Sequence, residues 1–154
     1  MRARTALIAA PLALALAACG GGADGGAKDS GGAERAARIS VVRSDGLGDI
    51  LVDGQGRTLY AFTKDKDGAS NCDADCIAVW PALTSTSGTD AGKGVRAALL
   101  HEKRQSGGAV QVGYGDWPLY YYVGDAAPGD VNGQGLDGEW FVVGADGKLI
   151  RAGA

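Results

Sequence analysis

Cys72 and Cys76 stand four residues apart in a chain of 154 residues with one other cysteine, Cys19. Outside the cytoplasm such a pair oxidises to a disulfide, and a separation of four closes when the segment is a helical turn or a tight loop. The alternative is a dithiol that cycles with a redox partner. Its spacing is Cys-x-x-x-Cys rather than the Cys-x-x-Cys of thioredoxins, no His or Lys stands beside either thiol to lower its pKa, and Asp73 and Asp75 would raise it. A bridge over so short a loop contributes about 2 kcal/mol in the chain-entropy view, which makes it a local staple for residues 65–81 and not a framework for the fold.

The same stretch is rich in oxygen. Asp65, Asp67, Ser70, Asn71, Asp73 and Asp75 fall within eleven residues, the hard-ligand chemistry that calcium prefers. The spacing departs from an EF-hand, with glycine at the fourth position and no glutamate at the twelfth, so a solvated acidic turn is the commoner outcome. His101 is the single histidine and no metal site is expected from it. The chain has no Gly-x-Ser-x-Gly and no phosphate loop, and no nucleophile or orienting acid is predictable around His101. No catalytic residue and no cofactor are expected, and the chain reads as a non-enzyme.

Two six-residue runs carry the remaining chemistry, Tyr60-Ala-Phe62-Thr-Lys-Asp65 and Tyr120-Tyr-Tyr122-Val-Gly-Asp125. In a strand, residues two apart share a face, so Tyr60 with Phe62 and Tyr120 with Tyr122 each form an aromatic pair, with an aspartate just beyond the strand end. The structural reading is that these rings fill a core between repeats, the aspartates cap turns, and Trp80 and Trp140 cover the edge. The functional reading is an aromatic-lined ligand groove, including Trp80 and Trp140, with an acid at its rim.

The elements that position these residues emerge when the chain is compared with itself. A shift of 60 residues brings Leu59-Tyr60 onto Leu119-Tyr120, Asp65 onto Asp125, Trp80 onto Trp140 and Val52 onto Val112. Two copies follow, residues 39–84 and 99–144. Each reads as β-structure: Asp49–Val52, the turn 53–56 and Arg57–Thr63 form a hairpin, repeated as Ala109–Val112, the turn 113–116 and Pro118–Val123. A last hairpin joins Trp140–Val143 to Lys148–Arg151 through Ala145-Asp146-Gly147. Residues 37–43 and 95–102 read as the strand that opens each copy, the latter open to a helical reading because alanine and leucine favour helix; the pairing of the copies favours strand. One hairpin alone is marginal in water. The two copies therefore pack together as a compact, all-β antiparallel domain, sandwich-like or barrel-like, spanning residues 39–154.

The N-terminus has a different character. Arg2 and Arg4 precede an uncharged apolar run from Ala6 to Ala18, a signal peptide of residues 1–18 too short for a permanent membrane span. Residues 19–38 are mainly glycine and alanine with a few charges, a flexible tether. Loss of Arg2 and Arg4 takes Lys plus Arg from 15 to 13 against 18 acidic residues. No basic cluster remains to bind nucleic acid.

Leu16-Ala17-Ala18-Cys19 resembles the lipobox of bacterial lipoproteins. That resemblance implies a diacylglycerol on Cys19, with palmitate-type acyl chains, and stable anchoring in membrane lipid. Both aromatic runs fit Tyr-x-(Phe/Trp/Tyr)-x-x-Asp, and Cys72-x-x-x-Cys76-x-x-x-Trp80-Pro81 follows the first. Over the whole domain the chain is similar to the bacterial secreted-repeat lipoproteins of that motif, a family without an assigned activity. The expectation is an extracytoplasmic protein, lipid-anchored to the cell membrane or outer membrane, with a structural or interaction role and an envelope protein as partner. A redox or electron-transfer accessory using Cys72 and Cys76, and a small-ligand or calcium-binding module, stand as alternatives.

Overall fold

The computed structural model describes residues 36–153; the expected signal peptide 1–18, Cys19 and the expected tether up to residue 35 lie outside the described residues. In chain order the elements are β1 (Ala37–Ser44), β2 (Gly48–Asp53), β3 (Tyr60–Phe62), α1 (Ala74–Val79), β4 (Thr89–Ala91), β5 (Leu100–Arg104), β6 (Val110–Tyr114), β7 (Trp117–Pro118) and β8 (Trp140–Val142). The all-β expectation holds, with one short helix added. The antiparallel pairs are β1 with β2, β5 with β6, β6 with β7, and β3 with β8.

Apolar residues alternate along the central strands and thereby build two cores, one on each face. Leu51, Leu59, Ala61 and Leu83 join Val112, Leu119 and Val143 in the first. Ile50, Val52, Tyr60 and Phe62 join Trp80, Tyr120, Trp140 and Val142 in the second. β2 and β3 are buried on both faces because they lie between these cores.

Three expectations are corrected in detail. The first hairpin opens as read, with Leu59 N–H donating to the Leu51 carbonyl at 3.1 Å, but the returning arm then leaves it. Residues 60–62 pair with β8 of the second copy, Tyr60 opposite Val142 and Phe62 opposite Trp140. In the run 95–102, Ala97–Leu99 form a 3-10 turn and the strand begins at Leu100; Ala97 and Ala98 are exposed and have no apolar bulk to bury in a sheet. The domain begins at Ala37 rather than Ile39. Ala37 N–H donates to the Gly88 carbonyl at 2.9 Å and β1 pairs parallel with β4, backbone pairing that needs no apolar side chain at residues 37 and 38.

The repeat register also shifts by one residue in the opening hairpins. Leu51 N–H donates to the Val143 carbonyl, and the same bond in the other copy runs from Val112 to Leu83. Leu51 thus corresponds to Val112, and the alignment of Val52 with Val112 fails: the two sit in different cores. The difference lies in the turns. Tyr114 pairs with Trp117 across two residues, whereas Asp53 accepts from Gly56 and donates to Arg57 in a longer loop.

Six-residue α1 is too short to be stable by itself. Asp73 caps its N-terminus, accepting from Cys76 N–H at 3.0 Å, Asp75 complements the dipole in the first turn, and Pro81 follows the C-cap residue, Trp80. The Cys72–Cys76 disulfide pins this turn, with the two Cα atoms 5.2 Å apart.

Candidate functional site

Tyr60 and Tyr120 meet where the two copies cross. Each donates its backbone N–H to the other's carbonyl at 2.9 Å, so a pseudo-two-fold axis passes between them. Their hydroxyls then reach across the axis in opposite senses. Tyr60 donates to Asp125 Oδ2 at 2.7 Å, and Tyr120 donates to Asp65 Oδ2 at 2.7 Å. Each tyrosine is therefore held by the other copy's aspartate, a cross-pairing that alignment of the two runs does not disclose.

The second carboxylate oxygen fixes a loop. Asp65 Oδ1 accepts from Asn71 N–H at 2.7 Å and Asp125 Oδ1 from Asn132 N–H at 2.9 Å. The two asparagine side chains complete the match, donating to the carbonyls of Lys64 and Gly124. Ser70 Oγ lies 2.7 Å from the Tyr120 hydroxyl, and Gly133 N–H donates to the Tyr60 hydroxyl at 3.2 Å. Gly133 is required by close approach: a Cβ there would lie 2.8 Å from Trp80 and 2.9 Å from Tyr60.

Six rings pack around the axis. Phe62, Trp140, Trp80 and Tyr122 stack in that order, with centroids 4.4, 3.9 and 4.4 Å apart. Tyr60 meets Trp80 edge-on at 5.4 Å and Tyr120 meets Trp140 edge-on at 5.3 Å. Stacked and edge-to-face pairs of this kind each add about 0.5–1.5 kcal/mol beyond burial.

Burial governs the electrostatics. It pushes the Tyr60 phenol far above its ordinary pKa, and the hydrogen bond to Asp125 and that residue's charge push further. Tyr120 is raised in the same way, by burial first, with Asp65 adding. The Asp65 and Asp125 carboxyls are also raised by burial, while the tyrosine and asparagine hydrogen bonds pull them back. The arrangement is a pair of buried phenol–carboxylate hydrogen bonds facing a ring stack.

Of the residues singled out in the sequence, Tyr60, Phe62, Asp65, Tyr120, Tyr122, Asp125, Trp80 and Trp140 all converge here. Trp80 and Trp140 do not line a groove: they are 5% and 3% exposed and stack on each other, so the ligand-groove reading is corrected to a closed aromatic core. Within the oxygen-rich stretch, Asp65 turns inward to Tyr120, Asp73 caps α1, and Asp67 occupies an exposed turn with φ 52°. His101 packs over Gly113 and approaches the Leu99 carbonyl at 3.3 Å, apart from the ring cluster.

Two polar features escaped the sequence reading. The asparagines follow their aspartates by six residues in one copy and seven in the other, which hides them from a fixed shift. The second feature has no counterpart in the second copy. Buried Asp53 accepts from Arg57 Nε at 2.8 Å and from the Tyr121 hydroxyl at 3.0 Å, with the Arg57 guanidinium over the Tyr121 ring at 3.9 Å. They border a polar cleft of about 590 Å³. A separate groove of about 520 Å³, mainly apolar, is lined by Cys72, Ile77, Pro81, Ala82 and Gln105 among others.

The two ends of the ring stack differ. At the Phe62 end Lys64 pairs with Glu139 at 2.7 Å, its ammonium 5.8 Å from the Phe62 ring centroid. At the Tyr122 end Gly124 stands in place of Lys64, and the Tyr122 ring leans onto it so closely that a Cβ would collide. The backbone contact is shared: Thr63 N–H donates to Glu139 on one side and Val123 N–H to Val79 on the other. Val79 and Val123 are 42% and 59% exposed.

Among the described residues no helix is long and apolar enough to cross a membrane. Neither the curated proteins nor the solved structures contain a match. A family model described as a secreted repeat of unknown function matches twice, over residues 41–84 and 103–144. These segments coincide with the two copies seen in the fold and together cover more than half of the chain. The chain belongs to this family of secreted repeats.

Proposed function

We propose that the protein is a lipid-anchored component of the bacterial envelope, held through acylated Cys19, and that it serves there as a non-enzymatic interaction module. Its extracytoplasmic setting follows from its secreted family, and the sequence Leu16-Ala17-Ala18-Cys19 supports the anchor. The observation that carries the interaction role is the apolar pair Val79 and Val123, exposed where the pseudo-equivalent positions hold Glu139 and Thr63. A fold that seals one end of its ring stack with an ion pair and leaves valines on the other has surface chemistry suited to a protein contact.

The test places a photo-cross-linking amino acid at Val123 in the full chain, expressed in bacterial cells fed an alkyne fatty acid. The expected result is an acylated, membrane-bound chain cross-linked to an envelope protein, with label and membrane retention both lost in Cys19→Ala. A membrane-bound chain that cross-links to no protein overturns the interaction role. A Cys19→Ala chain that still fractionates with membrane overturns the anchor.

One observation favours a redox accessory as the second reading. Cys72 is half-buried and lines the open apolar groove, so its disulfide faces a surface on which a thiol-bearing partner could sit.

A further inference from the structure

The ring cluster has more chemistry than packing requires. A core needs shape, yet five of its six rings are tyrosine or tryptophan, the readily oxidised aromatics, and both fully buried phenols donate to a carboxylate. A buried tyrosine can be satisfied more simply: the Tyr114 hydroxyl donates to the Ala145 backbone carbonyl at 3.0 Å. The rings are also continuous. From Tyr122 the path runs to Trp80 and Trp140 in steps of 4.4 and 3.9 Å, with Tyr120 beside Trp140, and with Tyr60 beside Trp80 and also edge-on to Tyr122 itself at 6.5 Å.

The array is polarised. Phe62, which resists oxidation, closes one end under Lys64, whereas half-buried Tyr122 forms the other end beside exposed Val79 and Val123. Electrons therefore have one ready exit, and the buried phenols have a proton acceptor already in contact.

We propose that Tyr122, Trp80 and Trp140 form a one-electron relay through which an outer-sphere one-electron oxidant at the Tyr122 end oxidises Tyr60 or Tyr120, with Asp125 or Asp65 taking the phenol proton. The step balances as follows. The oxidant gains one electron; the tyrosine O–H bond breaks; a neutral phenoxyl remains; and the proton bonds to the carboxylate Oδ2, giving a carboxylic acid. Reduction returns the electron and the proton by the same route. Burial raises the proton affinity of both carboxylates, which suits them as acceptors.

The test is flash oxidation of the full chain by photogenerated tris(bipyridine)ruthenium(III), with persulfate as electron sink, followed by freeze-trapping and electron paramagnetic resonance. The expected product is a phenoxyl radical whose relaxation is insensitive to a water-soluble gadolinium chelate, and which is lost when Tyr60 and Tyr120 are both replaced by Phe. In a Tyr60→Phe background, which leaves Tyr120 as the only buried phenol of the cluster and removes the direct contact with Tyr122, Trp80→Phe keeps a ring in the stack but raises the barrier at that step, so the buried phenoxyl yield should fall about ten-fold or more. Asp65→Asn with Asp125→Asn should leave a tryptophan radical in place of the phenoxyl. A wild-type radical relaxed by gadolinium, or no phenoxyl at all, overturns the proposal even if every variant misfolds. A buried yield in the folded Tyr60→Phe, Trp80→Phe chain equal to that of Tyr60→Phe alone overturns the relay.

Discussion

The two ends of the ring stack share backbone, register and ring packing, yet one carries Lys64 and Glu139 while the other carries Gly124 and Val79. A pseudo-symmetric protein thus supplies its own control. Where both copies keep the same residue type, as at Tyr60 and Tyr120 or Trp80 and Trp140, the shared fold needs it. Where they diverge on the surface, the fold tolerates either choice, and the divergence is free to serve a partner. The contrast is sharpest at the valines, because an exposed apolar pair gains nothing from water.

The control can be broken at its centre first. Trp80→Ala and Trp140→Ala each remove a buried ring stacked on both faces, and each should cost about 3–5 kcal/mol in urea unfolding, a large part of the stability of an ordinary domain. If the symmetry is energetic as well as geometric, the two losses should be similar. A large inequality would mean that one copy dominates the core.

The phenol–carboxylate pairs should be less equal. Tyr120→Phe strips a donor from Asp65, which is 5% exposed, whereas Tyr60→Phe strips one from Asp125, which water partly reaches. Losing a partner of a buried polar group costs about 1–3 kcal/mol, with Tyr120→Phe expected near the upper end and Tyr60→Phe near the lower. Equal costs in denaturant melts would show that residual solvent at Asp125 does not matter.

The disulfide belongs to the first copy alone. Its reduction should cost about 2 kcal/mol in the chain-entropy view and loosen α1 beneath Trp80. Titration against a thiol couple separates its roles: a potential below about −300 mV marks a staple, and one between about −120 and −230 mV matches exchanging dithiols. The latter result would raise the redox reading above the interaction reading.

Acid supplies a gentler probe of the axis. Asp65 and Asp125 have folded pKa values raised above 3.8 by burial, so between that value and their folded values the folded chain binds more protons than the unfolded chain. Their contribution to stability is fully present below 3.8 and is lost as pH rises through the folded values. Asp65→Asn with Asp125→Asn should remove this falling component. Stability plotted against pH upward from 3.8 should then have a less negative slope than the wild type. An unchanged slope would show that neither carboxyl titrates differently in the folded chain.

Much of this architecture was legible because tyrosine and tryptophan are rare and fell in register. Period-two alternation correctly placed Tyr60 with Phe62 on one face and left Ala61 to the other core. What one dimension hides is which copy completes which. A shift of 60 residues aligns Asp65 with Asp125 but does not say that each answers the other copy's tyrosine. The same shift misplaces β2 by one residue, since the second copy's turn is one residue shorter and a shift of 60 holds only from Leu59 and Leu119 onward. Pairing of β1 with β4 was equally invisible, because a short polar strand such as Thr89–Ala91 joins through its backbone and leaves no apolar pattern.

The smallest expected effect bears most directly on function. Val79→Glu with Val123→Thr gives the Tyr122 end the residues found at the Phe62 end. Both positions are exposed and their shared contact is between backbone atoms, so the change in unfolding free energy should stay within about 0.5 kcal/mol. The backbone bond from residue 123 to residue 79 survives, and with it the stack beneath. Capture of an envelope partner should nevertheless fall sharply, because the apolar contact is replaced by a carboxylate that would have to be desolvated on docking. If the double variant is as stable as the wild type and still cross-links its partner from a neighbouring position, the divergence between the two ends is neutral and the binding surface lies elsewhere.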